Sequence, residues 1–453
     1  MKLHFMAWSL VLAGLAGCAS YKSEPLDLHP TLLGAVPHIK IDPRQMPLPE
    51  LKAHPFPSDP SQGLDMTDVA MLAVVNDPDL QSARDDAHIA YAQAFAAGLL
   101  PDPSFSGEVD LPKPAMQGSD THAFNGGLNW DIGSLLTYSA NHKAALYAAK
   151  QTDLNLLWQE WQVVSQARIL FSQNVEDEAL LKVLKQNRDI LKSRYDHTQQ
   201  ALAQGLVTAD VASADLSALS DINTQIHDRE TDLNAKHSQL CALLNLDPSV
   251  KLNLVGDAQL PAIDDTKVKS ILPDLPARRP DLLALKAGYQ SQDETYRAAI
   301  LGQFPDINIG INRQRDTSNV FSTGYLVSFN LPIFNRNRGN IAVAKATRQK
   351  LYDDFESRLN AAYRDIDAIL VDEPLLQRQL SETEKGLSQL QQAAKGATAA
   401  YAAGNLDELS YANLRSGLLA KQVEYIKLKE SILEQDIALQ TLIGSELPTE
   451  TTN

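Results

Sequence analysis

The second half of this chain repeats its first, and that duplication limits the available folds more than any other feature. Asn76-Asp77-Pro78-Asp79-Leu80 recurs as Ala277-Arg278-Arg279-Pro280-Asp281-Leu282, an offset of 202 between Pro78 and Pro280. The same offset carries Pro103-Ser104-Phe105 onto Pro305-Asp306-Ile307. Further on the offset becomes 199 and relates Ala203-Gln204-Gly205 to Ala402-Ala403-Gly404. It also relates Leu219, Ile226, Leu233 and Leu240 to Leu418, Tyr425, Ile432 and Leu439. Apolar residues at seven-residue intervals, in one phase in both halves, mark a helix-packing seam of coiled-coil type.

Two stretches in each half alternate apolar and polar residues with the period of a strand. Phe105, Gly107, Val109 and Leu111 alternate with Ser104, Ser106, Glu108 and Asp110, and Phe124, Gly126, Leu128, Trp130 and Ile132 with Asn125, Gly127, Asn129 and Asp131. The second half offers Ile307, Ile309 and Ile311 against Asp306, Asn308 and Asn312, then Phe321, Thr323, Tyr325, Val327, Phe329 and Leu331 against Ser328 and Asn330. The strands are placed at about 103–111, 122–132, 305–315 and 321–333, long enough to cross a bilayer when tilted. No stretch reaches the roughly 18 consecutive apolar residues of a membrane helix, so a crossing has to be a β-barrel. Phe105, Val109, Leu128, Trp130, Ile309, Val327 and Phe329 are then expected to face lipid, with Glu108, Asp110, Asn129 and Asn312 facing water.

Helices are read at 67–98, 136–203 and 208–245, then at 280–302, 340–403 and 407–444. In each half one long helix matches two shorter ones laid end to end. At about 1.5 Å per residue the long helix reaches on the order of 100 Å. Pro374, after Glu373, is expected to break or kink the second long helix. The fold class is mainly α with β: a duplicated helix-strand-strand-helix unit that builds a long helical barrel and gives four strands to a transmembrane barrel.

The division of the chain follows. Residues 1–17 form a signal peptide, 18–66 an N-terminal segment, 67–250 the first repeat, 251–279 an irregular linker, 280–445 the second repeat and 446–453 a tail. The signal has a basic start at Lys2, an apolar run from Phe5 to Ala13 and the ending Leu15-Ala16-Gly17-Cys18. That ending resembles the lipobox of bacterial lipoproteins, which implies acylation of Cys18. Ala19, rather than an aspartate, implies sorting to the outer membrane.

A formal charge of −16 argues against binding nucleic acid through a phosphate-contacting surface, so no nucleic acid partner is expected. Two cysteines give no disulfide framework. Cys241, in a leucine-rich run four residues after His237, reads as a small buried hydrophobe, and the ten histidines show no ligand spacing. No His-Glu-x-x-His, glycine-rich phosphate loop or nucleophile elbow occurs. Neither catalysis, cofactor nor bound metal is expected.

The lipobox, the duplication, the paired strands and the helix lengths together resemble the TolC-like outer membrane factor family, the outer membrane efflux proteins. The motifs are the two Pro-Asp-Leu helix starts, the strand entries Leu99-Leu100-Pro101-Asp102-Pro103 and Phe304-Pro305, the run Leu331-Pro332-Ile333-Phe334-Asn335-Arg336-Asn337-Arg338-Gly339, and the turns at Gly205 and Gly404. Within the family, Ala97 to Pro103 and Leu331 to Asn337 look most like the heavy-metal cation efflux subgroup. The resemblance implies a homotrimer anchored in outer membrane lipid and extending into the periplasm. It implies a periplasmic adaptor (membrane fusion protein) and an inner membrane resistance-nodulation-division pump, with metal cations or drugs as cargo.

The resemblance also places a periplasmic gate after the second turn, where Asp407, Glu408, Tyr411 and Arg415, with Asp210 from the first repeat, are the candidates. Ser410 and Asn413 stand where relatives often carry aspartates. The tip residues Gln204, Gly205, Leu206, Ala403, Gly404 and Asn405 are expected to touch the adaptor. Two other readings compete: a periplasmic coiled-coil structural lipoprotein, and the exit duct of a type I secretion system.

Overall fold

The structure is a computed structural model that describes residues 21–36, 46, 51–52, 54–57, 59–111, 121–256, 260 and 265–444. The signal peptide, Cys18 and the tail 446–453 lie outside the described residues. Helix α1 (Met66–Asn76) leads into α2 (Pro78–Ala97), strands β1 (Ser104–Asp110) and β2 (Ala123–Asp131), and helices α3 (Ser134–Ala203) and α4 (Ala209–Leu243). After short helical turns between 265 and 278 come α5 (Pro280–Leu301), β3 (Ile307–Arg315), β4 (Phe321–Phe329), α6 (Arg338–Ala402) and α7 (Glu408–Ile443).

The 67–98 helix expected from the sequence is two helices. Asp77 sits at φ −58°, ψ 122°, a non-helical conformation, because the following proline disfavours the α region for the residue before it. Its side chain then accepts the Leu80 amide at 2.8 Å and starts α2 afresh. The expected break at Pro374 does not occur, since α6 runs unbroken from Arg338 to Ala402 with the proline inside it. Ile366 and Leu370, buried in a core with Leu282, Leu439 and Ile443, hold the helix beside the lost hydrogen bond. The fourth strand ends at Phe329, short of the expected 333. Between 265 and 278 the expected irregular linker is partly helical.

The two long helices are 70 and 65 residues, about 100 Å each. In the first repeat α2 and α4 pack on α3, and in the second α5 and α7 pack on α6. Contacts of α3 with α5 and α7 join the repeats. The seven-residue seam points inward: Ile226, Leu240, Leu418 and Leu439 are buried, and the other four positions are half-buried.

The largest core surrounds α1. Val69, Ala70, Met71, Leu72, Ala73 and Val74 are all buried, against Trp158, Trp161, Val164 and Phe171 from the middle of α3 and Leu240, Cys241 and Leu244 from the end of α4. A helix apolar on every side needs such an enclosure. Asp65 and Asp68 close its N-terminus as a capping box.

The four strands form one antiparallel sheet in the order β1-β2-β3-β4, so β2 and β3 pair across the repeat boundary. The helices thus leave from one end of the sheet, and the β1–β2 and β3–β4 connections lie at the other.

Candidate functional site: the amphipathic sheet and the helical tip

Residues directly opposite in an antiparallel ladder share a face, so the register sorts every strand side chain. Trp130, Ile309 and Val327 form one row, and Phe105, Leu128, Ile311 and Tyr325 the next. Phe105, Val109, Leu128, Trp130, Ile309, Val327 and Phe329 share the apolar face, and Glu108, Asp110, Asn129 and Asn312 lie on the other. Tyr325 is 86% exposed and Phe105 77%. Trp130 anchors the helix end of the sheet by donating its indole N–H to the Pro101 carbonyl at 2.8 Å. β1 and β4 have unpaired outer edges among the described residues. An exposed apolar face with open backbone edges demands lipid on one side and further strands at both ends. Among the described residues, no helix is long and apolar enough to span a membrane.

At the far end of the long helices the two turns are nearly superposable in their bonding. Gly205 and Gly404 both adopt φ +71°, the left-handed conformation that closes a helix and that side chains resist. Leu206 N donates to Ala201 O at 2.9 Å, and Asn405 N to Ala400 O at 2.8 Å. Leu206 is exposed.

Just above these turns the structure sorts the candidate gate residues. Asp407 is the N-cap of α7; its carboxylate accepts the Ser410 amide at 2.8 Å and the Ser410 hydroxyl at 2.7 Å. Those bonds, the hydroxyl's first, hold its pKa below the ordinary carboxylate value. Asp210, exposed in the first turn of α4, is lowered mainly by a hydrogen bond from the Thr208 hydroxyl. Glu408 accepts from His197 Nδ1 of α3 at 2.6 Å, tying the repeats together. Tyr411 stacks on Tyr401 with ring centroids 4.7 Å apart. Arg415 Nε is buried with no acceptor among the described residues.

A second set escaped sequence reasoning. Arg194 of α3 pairs with buried Asp215 of α4 at 2.6 Å and donates to Asn413 of α7 at 3.3 Å, while the Thr198 hydroxyl donates to Asp215 at 2.6 Å. The available signal was Asp215 itself, an acid on the helix face that carries Ala212 and Leu219 into the seam. Higher up, burial and then the charge of Glu430 push the Glu176 carboxyl up to about 7. Burial and Glu373 raise Asp436 to about 6. Both lie where α7 meets the long helices.

Neither metal-competent grouping looks built for an ion. Cys241 Sγ lies 3.4 Å from His237 Nε2, but the thiol is buried and its pKa is raised by desolvation. That disfavours the thiolate a metal needs. His54 Nε2 meets Asp65 and Asp68 at 3.4 and 3.1 Å, and both carboxylates already serve the cap of α1.

Comparison with known proteins shows what this architecture is similar to. Residues 271–445 match the model for outer membrane efflux proteins. The chain is 23% identical over 363 residues to the probable outer membrane lipoprotein SilC of Salmonella typhimurium, covering 73% of this chain and 77% of that one. It is 23% identical over 253 residues to the cation efflux system protein CusC of Escherichia coli K12, where the match spans about half of each, 51% and 54%. The Campylobacter jejuni CmeC outer membrane channel superposes with a TM-score of 0.71 at 17% identity, over 86% of this chain and 87% of that one. The second repeat is thus similar to outer membrane efflux proteins, and the fold of the chain is shared over most of its length with solved outer membrane channels.

Proposed function

We propose that the chain is one subunit of a passive exit duct in a tripartite efflux assembly. Three copies join their sheets edge to edge into a barrel of twelve strands, four from each. Their helices continue as a tunnel through the periplasm toward an adaptor and a resistance-nodulation-division pump. The observation that carries this reading is the sheet: an exposed apolar face with both outer edges open cannot rest in water as a monomer. Glu108, Asp110 and Asp131 on the polar face would wet the lumen and favour cations. With SilC and CusC among the relatives, metal cations lead drugs as cargo.

Single-channel recording in a planar bilayer tests the duct directly, together with the mass of the crosslinked oligomer. Discrete conductance steps and a trimer are expected. A monomer extracted without detergent, giving no conductance, overturns the reading. Acylation of Cys18 supplies the anchor to the inner leaflet, and mass spectrometry of the mature N-terminus checks it. The tip residues Gln204, Gly205, Leu206, Ala403, Gly404 and Asn405 meet the adaptor, so cysteines at 204 and 405 crosslink to it in cells.

The resting tip is latched by Glu408, Tyr411 and Arg415, with Asp407 and Asp210 fixing the helix starts beside them. Arg415 supports this, because its buried Nε lacks an acceptor that a neighbouring copy could provide. Partly exposed polar pairs are worth about 0–1 kcal/mol each, so an adaptor can undo them. Glu408→Ala with Arg415→Ala raises resting conductance; unchanged conductance moves the constriction to Leu406 and Leu409.

A further inference from the structure

The apolar face of the sheet is not apolar to its end. Its fourth row, counting from the helices, is Gly107, Gly126, Arg313 and Thr323, and its fifth is Val109, Phe124, Arg315 and Phe321. Two guanidinium groups therefore stand on the face whose lower rows carry Trp130, Leu128, Ile309, Ile311 and Tyr325. Arg313 is exposed and has no ion-pair partner among the described residues. Gly107 and Gly126 leave the floor beside it without side chains, under the edge of the Phe105 ring. Arg315 lies over the rings of Phe124 and Phe321, at 5.3 and 5.9 Å from their centroids. One of its N–H groups donates to the His122 carbonyl at 2.8 Å, and its Nε is buried without a partner. The carboxylates nearby do not answer this charge. Glu108 and Asp110 lie on the opposite face, and Asp316 accepts the amides of Ser318 and Val320 in the turn.

A charge on the lipid side of a barrel is costly at mid-membrane and tolerated at the interface. Both arginines lie at the end of the sheet remote from the helices, which in the duct proposed above is the outer leaflet. We propose that the surface patch formed by Arg313, Arg315, Gly107, Gly126 and Phe124 binds the phosphate groups of the glycolipid that fills that leaflet. The planar guanidinium matches a phosphate in two parallel hydrogen bonds, and the aromatic rings beside it suit the start of the acyl region.

The inference rests on the outward placement of the apolar face. Its test uses the full-length protein in neutral detergent and a fluorescent bisphosphorylated lipid A as probe. Native protein binds the probe, and binds dephosphorylated lipid A about tenfold more weakly. Arg313→Gln with Arg315→Gln weakens the bisphosphorylated lipid by a similar factor and leaves the dephosphorylated lipid unaffected. Equal binding of both lipids by native protein overturns the proposal whether or not the variant folds. Displacement by inorganic phosphate at the same concentration marks a free-anion site and overturns the lipid assignment. Conductance of the native protein is measured in parallel, so loss of the lipid effect with conductance intact refutes this site and leaves the duct standing.

Discussion

Pro78 and Pro280 occupy matching places in the two repeats, yet the helices they begin are held in different ways. In the first repeat Asp77 caps the next turn, a local arrangement of neighbours in the chain. In the second repeat Arg279 stands in that place and makes no side-chain cap. Instead buried Asp281 takes Arg279 and, from α6, Arg358, each at 2.7 Å. Arg279 also lies over Trp158 of the first repeat at 4.9 Å and donates to Leu442 O in α7 at 3.2 Å. One start is a cap and the other is a junction of three long elements. Duplication preserved the backbone turn while the second copy took on the work of joining the halves.

The largest expected effect breaks that junction. Arg279→Ala leaves a buried carboxylate half-paired and uncovers Trp158, so it should lower stability by about 3–5 kcal/mol, read from denaturant or thermal midpoints in detergent. Asp77→Ala should cost about 1 kcal/mol. Equal losses would erase the contrast. The turns at the tip should behave oppositely, as equals. Gly205→Ala and Gly404→Ala each force a side chain into the left-handed region at about 1–2 kcal/mol, and a clear inequality would reveal a restraint at one tip that the bonding does not record.

Smaller again are the helix starts after those turns. Asp407→Ala removes a formed cap and costs about 1 kcal/mol, while Thr208→Ala, whose hydroxyl caps no backbone amide and meets only exposed Asp210, should cost a few tenths. A separate effect is on pH dependence. The folded pKa of Glu176 lies near 7, above the unfolded value of 4.5, so the folded state binds the extra proton between them. Stability should fall as pH rises from about 5 to 7, with Asp436, near 6, adding to the trend. Glu176→Gln should flatten that slope and raise Tm at pH 7 by on the order of 1–2 °C. A slope unchanged in the variant would assign it to other groups.

The sequence carried the helices and strands well because their periods are local. Leu219, Ile226, Leu233 and Leu240 announce a seam, and Phe105 to Asp110 announce a strand. What it hid were partnerships between distant elements. His197 and Glu408 meet from helices 211 residues apart, and no local pattern joins them. Arg313 and Arg315 are hidden for another reason. The apolar alternation along β3 runs through its isoleucines and stops at Asn312, although the ladder keeps its parity to Arg315. Pro374 does not break α6, because Ile366 and Leu370 hold that helix on a packed face where an isolated helix would end.

The open edges of β1 and β4 also bear on inheritance. In the proposed ring of three identical sheets each chain supplies one half of two junctions, so a single defective strand leaves the wall unsealed however sound its neighbours are. A cell making normal subunits and equal amounts of a β4-disrupted form that still joins the ring would assemble roughly one ring in eight entirely from normal chains. Such an allele would act dominantly, whereas loss of the whole chain would be recessive.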